Sequence, residues 1–579
     1  MKTKLLSEAS IDASPEHIVR RAGGLPRVIG AGLSSFLGRI ANGRGQSNQR
    51  HWMVAARAVL LLATSAIVDT AYAAEPIPES EEIALGRRIY LEGKLSTGQP
   101  LTGRVQDDVT LVGKSAACAQ CHQRSGLGTL EGGTLVRSIS GPDLAHTTTD
   151  SRQRPAYSDA TLARALRDGV DSNGQPLSRL MPRYALQEAD VGALAAYLKT
   201  LSAQISPGVS DKAIRFATIV TDDVPATRRQ IMYDVLEAYF AEANGAQGQV
   251  AKKSFGPSRS RKAAGGKRTW ILERWTLTGP PETWIAQLDA YYRAEPVFAL
   301  LSGISAADWR PIHEFCEQKE LPCLLPNTAL PVLAAEDFYT VYFSRGLTLE
   351  AEVLIADLSK GTAPAKLLQV YRGDVAGLTA SGALKRAAAG RHTVSDWILG
   401  DGETLTAQTL AARLEATKSD VVVLWLSPDL LIELGKGRPM LTKPLRLYFS
   451  STQLDGELSA VPTPIRRFSS VIHPFAQNQI RRLDTWLARQ GIARSEFTLQ
   501  AQTYFACLMA TEGIKRAGDK LHREYFLEVI DRMAMAPMGS GFPSPEFAPN
   551  RRYLINGAFV LEVSEGGKQL IKNPHWVIP

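Results

Sequence analysis

Apolar residues recur at helical spacing in three places between residues 80 and 202, and at strand-like density through most of residues 213–579. Ile83-Ala-Leu-Gly-Arg-Arg-Ile-Tyr90 suits an opening helix, and a second helix, capped by Ser158, runs from Leu162 to Arg167 and closes at Gly169. Val191, Leu194, Leu198 and Leu201 form the apolar stripe of a third, from about Glu188 to Leu201. Ala203 to Asp211 has the composition of a linker, and beyond it the pattern changes. Short apolar runs at Ile214 to Thr221, Trp270 to Trp275, Val297 to Leu301 and Cys323 to Leu325 alternate with helical segments at Arg228 to Ala243 and Thr283 to Arg293. Phe338 to Phe343 leads into a helix at Thr348 to Leu358. A second set of strands comes at Lys366 to Tyr371, Val421 to Leu426 and Leu445 to Phe449. Such alternation predicts βαβ units, parallel sheets covered by helices on both faces, and two similar α/β lobes. The chain therefore reads as multidomain: a leader at 1–73, an all-α domain at 78–203, a linker at 204–212 and an α/β module at 213–579.

The leader changes the picture of charge. Residues 1–73 supply +5 of the formal +8, so the remainder is only mildly basic and the pI of about 9.1 does not imply an acidic partner. The one local basic cluster, Lys252 to Arg268, is rich in Gly and Ser and reads as a solvated loop rather than a nucleic-acid surface. Arg57, the apolar run 58–68 and Ala71-Tyr72-Ala73 fit signal-peptide grammar, with cleavage expected after Ala73 or Ala74. Eleven apolar residues are too few to span a bilayer, and no Cys follows at a lipobox position. Export to the periplasm, without stable membrane insertion after cleavage, is the expectation. Met53 would itself make a normal start.

Within the all-α segment, Cys118-Ala-Gln-Cys121-His122 places two thiols one helical turn apart with an imidazole directly after them. That spacing is the one by which Cys118 and Cys121 add to porphyrin vinyl groups as thioethers while His122 reaches the iron. A CxxC redox pair would want a βαβ setting, and a zinc site would want a second Cys or His pair; neither context lies nearby. One covalent haem c is the expected cofactor. The remaining three of five cysteines divide into a close pair and a single. Cys316 and Cys323, with Pro322 before the second, fit a disulfide in an oxidising compartment or two buried thiols. Cys507 reads as a small apolar residue in a packed helix.

Three helices around CxxCH resemble the class I cytochrome c fold across the whole segment. The resemblance implies Met181, within Leu180-Met-Pro-Arg-Tyr184, as the sixth iron ligand. A thioether there raises the reduction potential relative to bis-His ligation. Gly141-Pro-Asp-Leu144 resembles the family's Gly-Pro-x-Leu segment, which implies that Pro142 lies against the haem and that its carbonyl accepts the other N–H of His122. The run Ser125 to Gly133 is glycine-rich, which would let the backbone pass close to the macrocycle.

The α/β module resembles type I periplasmic binding proteins, specifically branched-chain amino-acid receptors of ABC transporters, over most of residues 213–565. Its best segments are Ala299 to Ala306 with Leu321 to Thr328, and the late stretches Ala501 to Ala517 and Tyr553 to Val563. The resemblance implies that Ser302-Gly-Ile-Ser305 opens a helix whose free N–H groups hold a ligand carboxylate, with Ser302, Ser305 and Thr328 as ligand contacts. Ser305 as a helix N-cap and Ser302 as a strand end are the bland alternatives. Asp429 is a candidate for an amino group, although Ser427-Pro428-Asp429 also reads as a capping turn.

These observations together predict a periplasmic one-electron carrier fused to a receptor-like domain that binds a small solute, such as an amino acid or small acid, or docks a redox partner protein. Two other readings stand beside it: a transport receptor with an accessory or sensory haem, and the electron-accepting subunit of a periplasmic quinoprotein-type dehydrogenase. Catalysis is not required, since no Ser/His/Asp order with supporting motifs and no second CxxCH occur.

Overall fold

The computed structural model describes residues 80–563 and 571–579, apart from 107, 132, 149–153, 254–267, 307, 362, 437–444, 456–457, 463–468, 476 and 534–550. The leader, its apolar run and most of the basic cluster expected between Lys252 and Arg268 lie outside the described residues. Among the described residues, no helix is long and apolar enough to cross a membrane.

The three expected helices are present as Glu81–Glu92, Asp159–Arg167 and Glu188–Thr200. Ser80 opens the first by accepting the Ile83 N–H at 3.3 Å, and Gly93 closes it at φ 65°. Ser158 and Thr161 cap the second reciprocally, so the sequence signal and the helix start coincide. The first and third helices cross closely at Gly86, where any side chain would strike the Ala193 carbonyl, and Tyr90 and Tyr197 pack with ring centroids 5.3 Å apart. The expectation of an all-α domain needs correction. Val109–Val112, Thr102–Val105 and Arg183–Tyr184 form an antiparallel sheet in that order, and Thr129–Glu131 pairs with Thr134–Val136 as a hairpin. Strands of two to four residues, half exposed, are too short to print an alternation in the sequence.

Two α/β lobes complete the chain. In the first, Thr340–Val341, Cys323–Leu324, Ala299–Leu301, Ala213–Thr221 and Thr269–Leu277 lie side by side in that order, every pairing parallel. The second sheet runs Thr393–Leu399, Lys366–Arg372, Val421–Trp425, Arg446–Ser450, Ser469–His473, Ala558–Val563 and Ile571–Val577, its last two pairings antiparallel. Continuous burial of Val421–Trp425 explains why its sequence is apolar without alternation. After Ser469–His473 the chain returns to the first lobe as the helices Gln477–Gln490, Phe497–Ala517 and Arg523–Arg532, whose apolar faces join the core of Phe216, Phe298 and Leu324. Crossover segments pair between the lobes: the Tyr342 N–H donates to the Arg552 carbonyl, and the Leu554 N–H to the Tyr342 carbonyl, each at 2.9 Å.

The stretch expected as a linker is clasped. The Ser206 N–H donates to the Leu521 carbonyl at 3.4 Å, the Ser206 hydroxyl accepts the Arg523 N–H at 3.0 Å, and Gly208 at φ 84° lies where any side chain would strike Val297 and Phe298. The helical segment also packs on the first lobe directly. Arg124 stacks 4.5 Å over Phe338, and Arg87 and Lys114 pair with Glu320 and Glu336.

Candidate haem site and interlobe corner

Cys118 stands at the start of a single helical turn, Ala119–His122, closed by the Cys121 and His122 N–H groups donating to the Cys118 carbonyl at 3.2 and 2.9 Å. That turn gives the two sulfurs and the imidazole their common origin. Cys118 is buried and Cys121 exposed. The Nδ1 of His122 meets the Arg137 carbonyl at 2.9 Å. The carbonyl is therefore Arg137's and not Pro142's, which corrects the support implied for Pro142. Pro142 instead sits in the first turn of Gly141–Ala145, and its carbonyl lies 2.6 Å from the Nδ1 of His146. The reason is local: the Thr134–Val136 strand carries the chain back beside the His122 turn and presents the next carbonyl to it.

Two glycines of the loop, Gly126 and Gly128, lie tight against protein, whereas Gly133 has open space beside it. A side chain at Gly126 would strike Leu201, and one at Gly128 would strike the Val136 carbonyl, both at positive φ. Their role is to let the loop close on the third helix and on the hairpin.

Met181 is half-buried against the core that also contains Cys118, Leu166 and Tyr184. Its carbonyl accepts from Arg183 at 2.5 Å. Arg183 and Tyr184 pair with Arg104 and Gly103, and the Tyr184 hydroxyl donates to the Ala116 carbonyl at 3.1 Å. The methionine loop is thus tied to the segment entering the CxxCH turn by a strand pairing and a buried hydroxyl, neither of which had a sequence signal beyond Tyr184 itself.

The donor set suits a haem. With Nδ1 engaged by a carbonyl, the Nε2 of His122 is the nitrogen without a hydrogen-bond partner among the described residues, and burial holds the imidazole below its ordinary pKa, hence neutral. Cys118 and Cys121 would carry the thioethers, and His122 and Met181 would be the axial ligands. Among the described residues no cluster of His, Cys, Asp or Glu suits another metal ion.

At the carboxyl ends of the first lobe's strands, the structure brings Ser302, Ser305 and Thr328 to one corner, but not as an open anion cradle. Ser302 is 1% exposed, at φ 58°; its hydroxyl lies 2.9 Å from that of Thr503 and accepts from the Asn327 amide at 2.7 Å. Ser305 accepts from Thr221 at 3.3 Å, and the Thr328 hydroxyl accepts the Leu330 N–H at 3.1 Å. The next helix begins at Arg310, after Trp309, so Ser305 neither caps it nor lies at its N-terminus. Asp429 sits in a short 3-10 turn, Pro428–Leu431, where the Ser427 hydroxyl donates to its carboxylate at 2.5 Å and no side chain caps the turn's N–H groups. Asn327, Thr221 and Thr503 were not singled out from the sequence, since isolated polar residues in apolar runs carry no periodic signal. The Oδ1 of Asn327 is buried without a hydrogen-bond partner.

Cys316 and Cys323 lie side by side as buried free thiols, so the expected disulfide is not formed in the structure. Burial, with Cys323 beside it, pushes the Cys316 thiol well above its ordinary pKa. The thiolate needed to start disulfide exchange is correspondingly scarce. Cys507 is buried in the helix Phe497–Ala517, as its apolar surroundings implied.

The family model for cytochrome c matches residues 110–202. A search of curated proteins finds no match. Among solved structures, a leucine binding protein from Thermotoga maritima is 12% identical with a TM-score of 0.47, over 63% of this chain and 99% of that one. A branched chain amino acid ABC transporter from Thermus thermophilus with bound valine is 12% identical with a TM-score of 0.46, over 63% and 97%. A fatty acid ABC transporter substrate-binding protein from Thermomonospora curvata is 16% identical with a TM-score of 0.45, over 62% and 91%. The chain thus carries a cytochrome c domain at residues 110–202, followed by two α/β lobes built on largely parallel sheets.

Proposed function

We propose that this protein is a periplasmic c-type cytochrome that passes electrons one at a time, and that its two lobes bind a small solute or dock the redox partner. One observation carries the reading: a CxxCH turn whose histidine turns one ring nitrogen to a backbone carbonyl, tied through Tyr184 and Ala116 to the loop bearing Met181. When bound, the haem supplies a one-electron Fe(III)/Fe(II) couple, its potential set by axial ligands and burial. The chain's own residues do the rest. Cys118 and Cys121 fix the porphyrin to the backbone, the Arg137 carbonyl sets the tautomer of His122, and the strand pairing of Arg183 and Tyr184 holds Met181. Were His122 and Met181 both to hold the iron, no position would be left open for substrate chemistry there, which favours a carrier over an enzyme.

The test is made on full-length protein purified from the periplasm. Pigment retained by the denatured chain in acidified organic solvent, together with a reversible one-electron couple, supports the proposal; extractable pigment or an irreversible response overturns it. A thermal shift with amino acids or small acids distinguishes solute capture by the lobes from partner docking.

A further inference from the structure

The loop that leaves the CxxCH turn does not end in solvent. The backbone N–H and the hydroxyl of Ser125 both donate to the carboxylate of Glu528, at 2.7 and 2.6 Å. Glu528 belongs to the helix Arg523–Arg532 of the first lobe, 403 positions along the chain, and is 4% exposed; Ser125 is fully buried. Among the described residues no cation forms an ion pair with Glu528. The groups that face it are Arg532 and Glu524 on its own helix and Tyr90 on the helix Glu81–Glu92, while Arg124, beside Ser125, is turned onto Phe338 and Tyr339.

Burial pushes the Glu528 carboxyl up to about 8 despite the two bonds from Ser125, so its charge is in balance near neutral pH. It is also tied to the segment that leaves the CxxCH turn. Ser125 stands three residues after His122, so the two backbones are separated by at most about 11 Å. The loop between them is held: the Tyr90 hydroxyl donates to the Gln123 carbonyl at 2.7 Å, and the Ser202 hydroxyl to the Ser125 carbonyl at 2.7 Å. At an effective dielectric constant of about 20, a unit change of charge about 11 Å away alters the proton affinity of a carboxylate by about tenfold.

Resting on the one-electron reading above, we infer that Glu528 is the proton-accepting group of haem reduction in this protein. An electron arriving from a one-electron donor protein converts Fe(III) to Fe(II), and the Glu528 carboxylate takes one proton from solvent to become the carboxylic acid. On oxidation the electron leaves to the acceptor and the proton returns to solvent. Site charge is then unchanged over the cycle, which spares the buried site a net charge change. Because Glu528 belongs to the lobe, electron and proton are divided between the two parts of the chain.

The measurement is a potentiometric titration of the haem-loaded, full-length protein across pH, followed by the haem bands, with infrared redox-difference spectra alongside. The wild type is expected to show a potential that falls with rising pH through a window around pH 8, and a carboxylic C=O band that appears on reduction. E528Q is expected to flatten that window and lose the band. S125A, which keeps the carboxyl but removes a bond favouring its charged form, is expected to move the window to higher pH. A wild-type potential independent of pH, an unaltered slope in E528Q, or an unmoved window in S125A overturns the assignment while leaving the carrier reading in place. Absence of any reversible couple overturns both.

Discussion

Arg228 joins the two lobes: its guanidinium meets Asp455, in the turn after the Arg446–Ser450 strand, at 2.6 Å, and Glu496, at the start of the helix Phe497–Ala517, also at 2.6 Å. Arg228 and Glu496 belong to the first lobe and Asp455 to the second. Burial raises the Glu496 carboxyl even with Arg228 against it. The lobes are thus held by a charged group of the protein. Arg228→Ala is expected to enlarge the radius of gyration in small-angle scattering and to speed hydrogen exchange around residues 451–455. Its cost in stability should stay near 1 kcal/mol or less, because side chains 34% and 40% exposed are screened by water. Unchanged scattering and exchange would contradict the latch.

Tyr184 carries the link between the two sides of the haem site. Tyr184→Phe keeps the ring under Gly103 and removes the hydroxyl that bonds the Ala116 carbonyl and meets the Cys118 thiol. A loss of about 1 kcal/mol is expected, as for a buried carbonyl left unpaired. Thermal unfolding of the haem-loaded protein reads it, and a weaker sulfur-to-iron band should accompany it.

These two relationships mark what could be read from the chain and what could not. Helices announced by caps and stripes, such as Ser158 with Thr161 or Leu194 with Leu198, appear where the pattern put them, because local hydrogen bonds and a buried face are written in neighbouring residues. The alternation of apolar runs gave both lobes for the same reason. The Gly103–Tyr184 pairing, the carbonyl chosen by His122 and the contact of Ser125 with Glu528 join residues 15 to 403 positions apart. Nothing local encodes them. Ser302 shows the converse: its type and place in a resemblance suggested an open contact, whereas Thr503 and Asn327 had already consumed its hydroxyl.

Glu350 offers a pH test. Its Oε1 accepts from Ser451 at 3.1 Å and from the Thr452 hydroxyl at 2.8 Å, while burial pushes the carboxyl up to about 7. A raised folded-state value means that its contribution to stability is fully present below the unfolded value near 4.5 and is lost as pH rises toward 7. Glu350→Gln cannot ionise. Relative to wild type, it should therefore gain stability between pH 4.5 and 7 by roughly 3 kcal/mol and then level off. Denaturant midpoints at pH 5, 6 and 8 check this; a difference independent of pH would contradict it.

Counting thiols tests the correction at Cys316 and Cys323. Alkylation of the denatured, unreduced protein should add three labels, at Cys316, Cys323 and Cys507, while the thioether cysteines stay unlabelled. A single label would mean that the pair had closed as a disulfide.

The central claim is that His122 and Met181 hold one iron between them. The most direct measurement is the absorption spectrum of the oxidised, haem-loaded protein beside that of Met181→Ala. Because Met181 is only half-buried, the variant should fold and keep its covalent pigment. The wild type is expected to show the sulfur-to-iron charge-transfer band, and the variant to lose it and fall in potential. A wild type without the band, or a variant that retains it, would contradict the account.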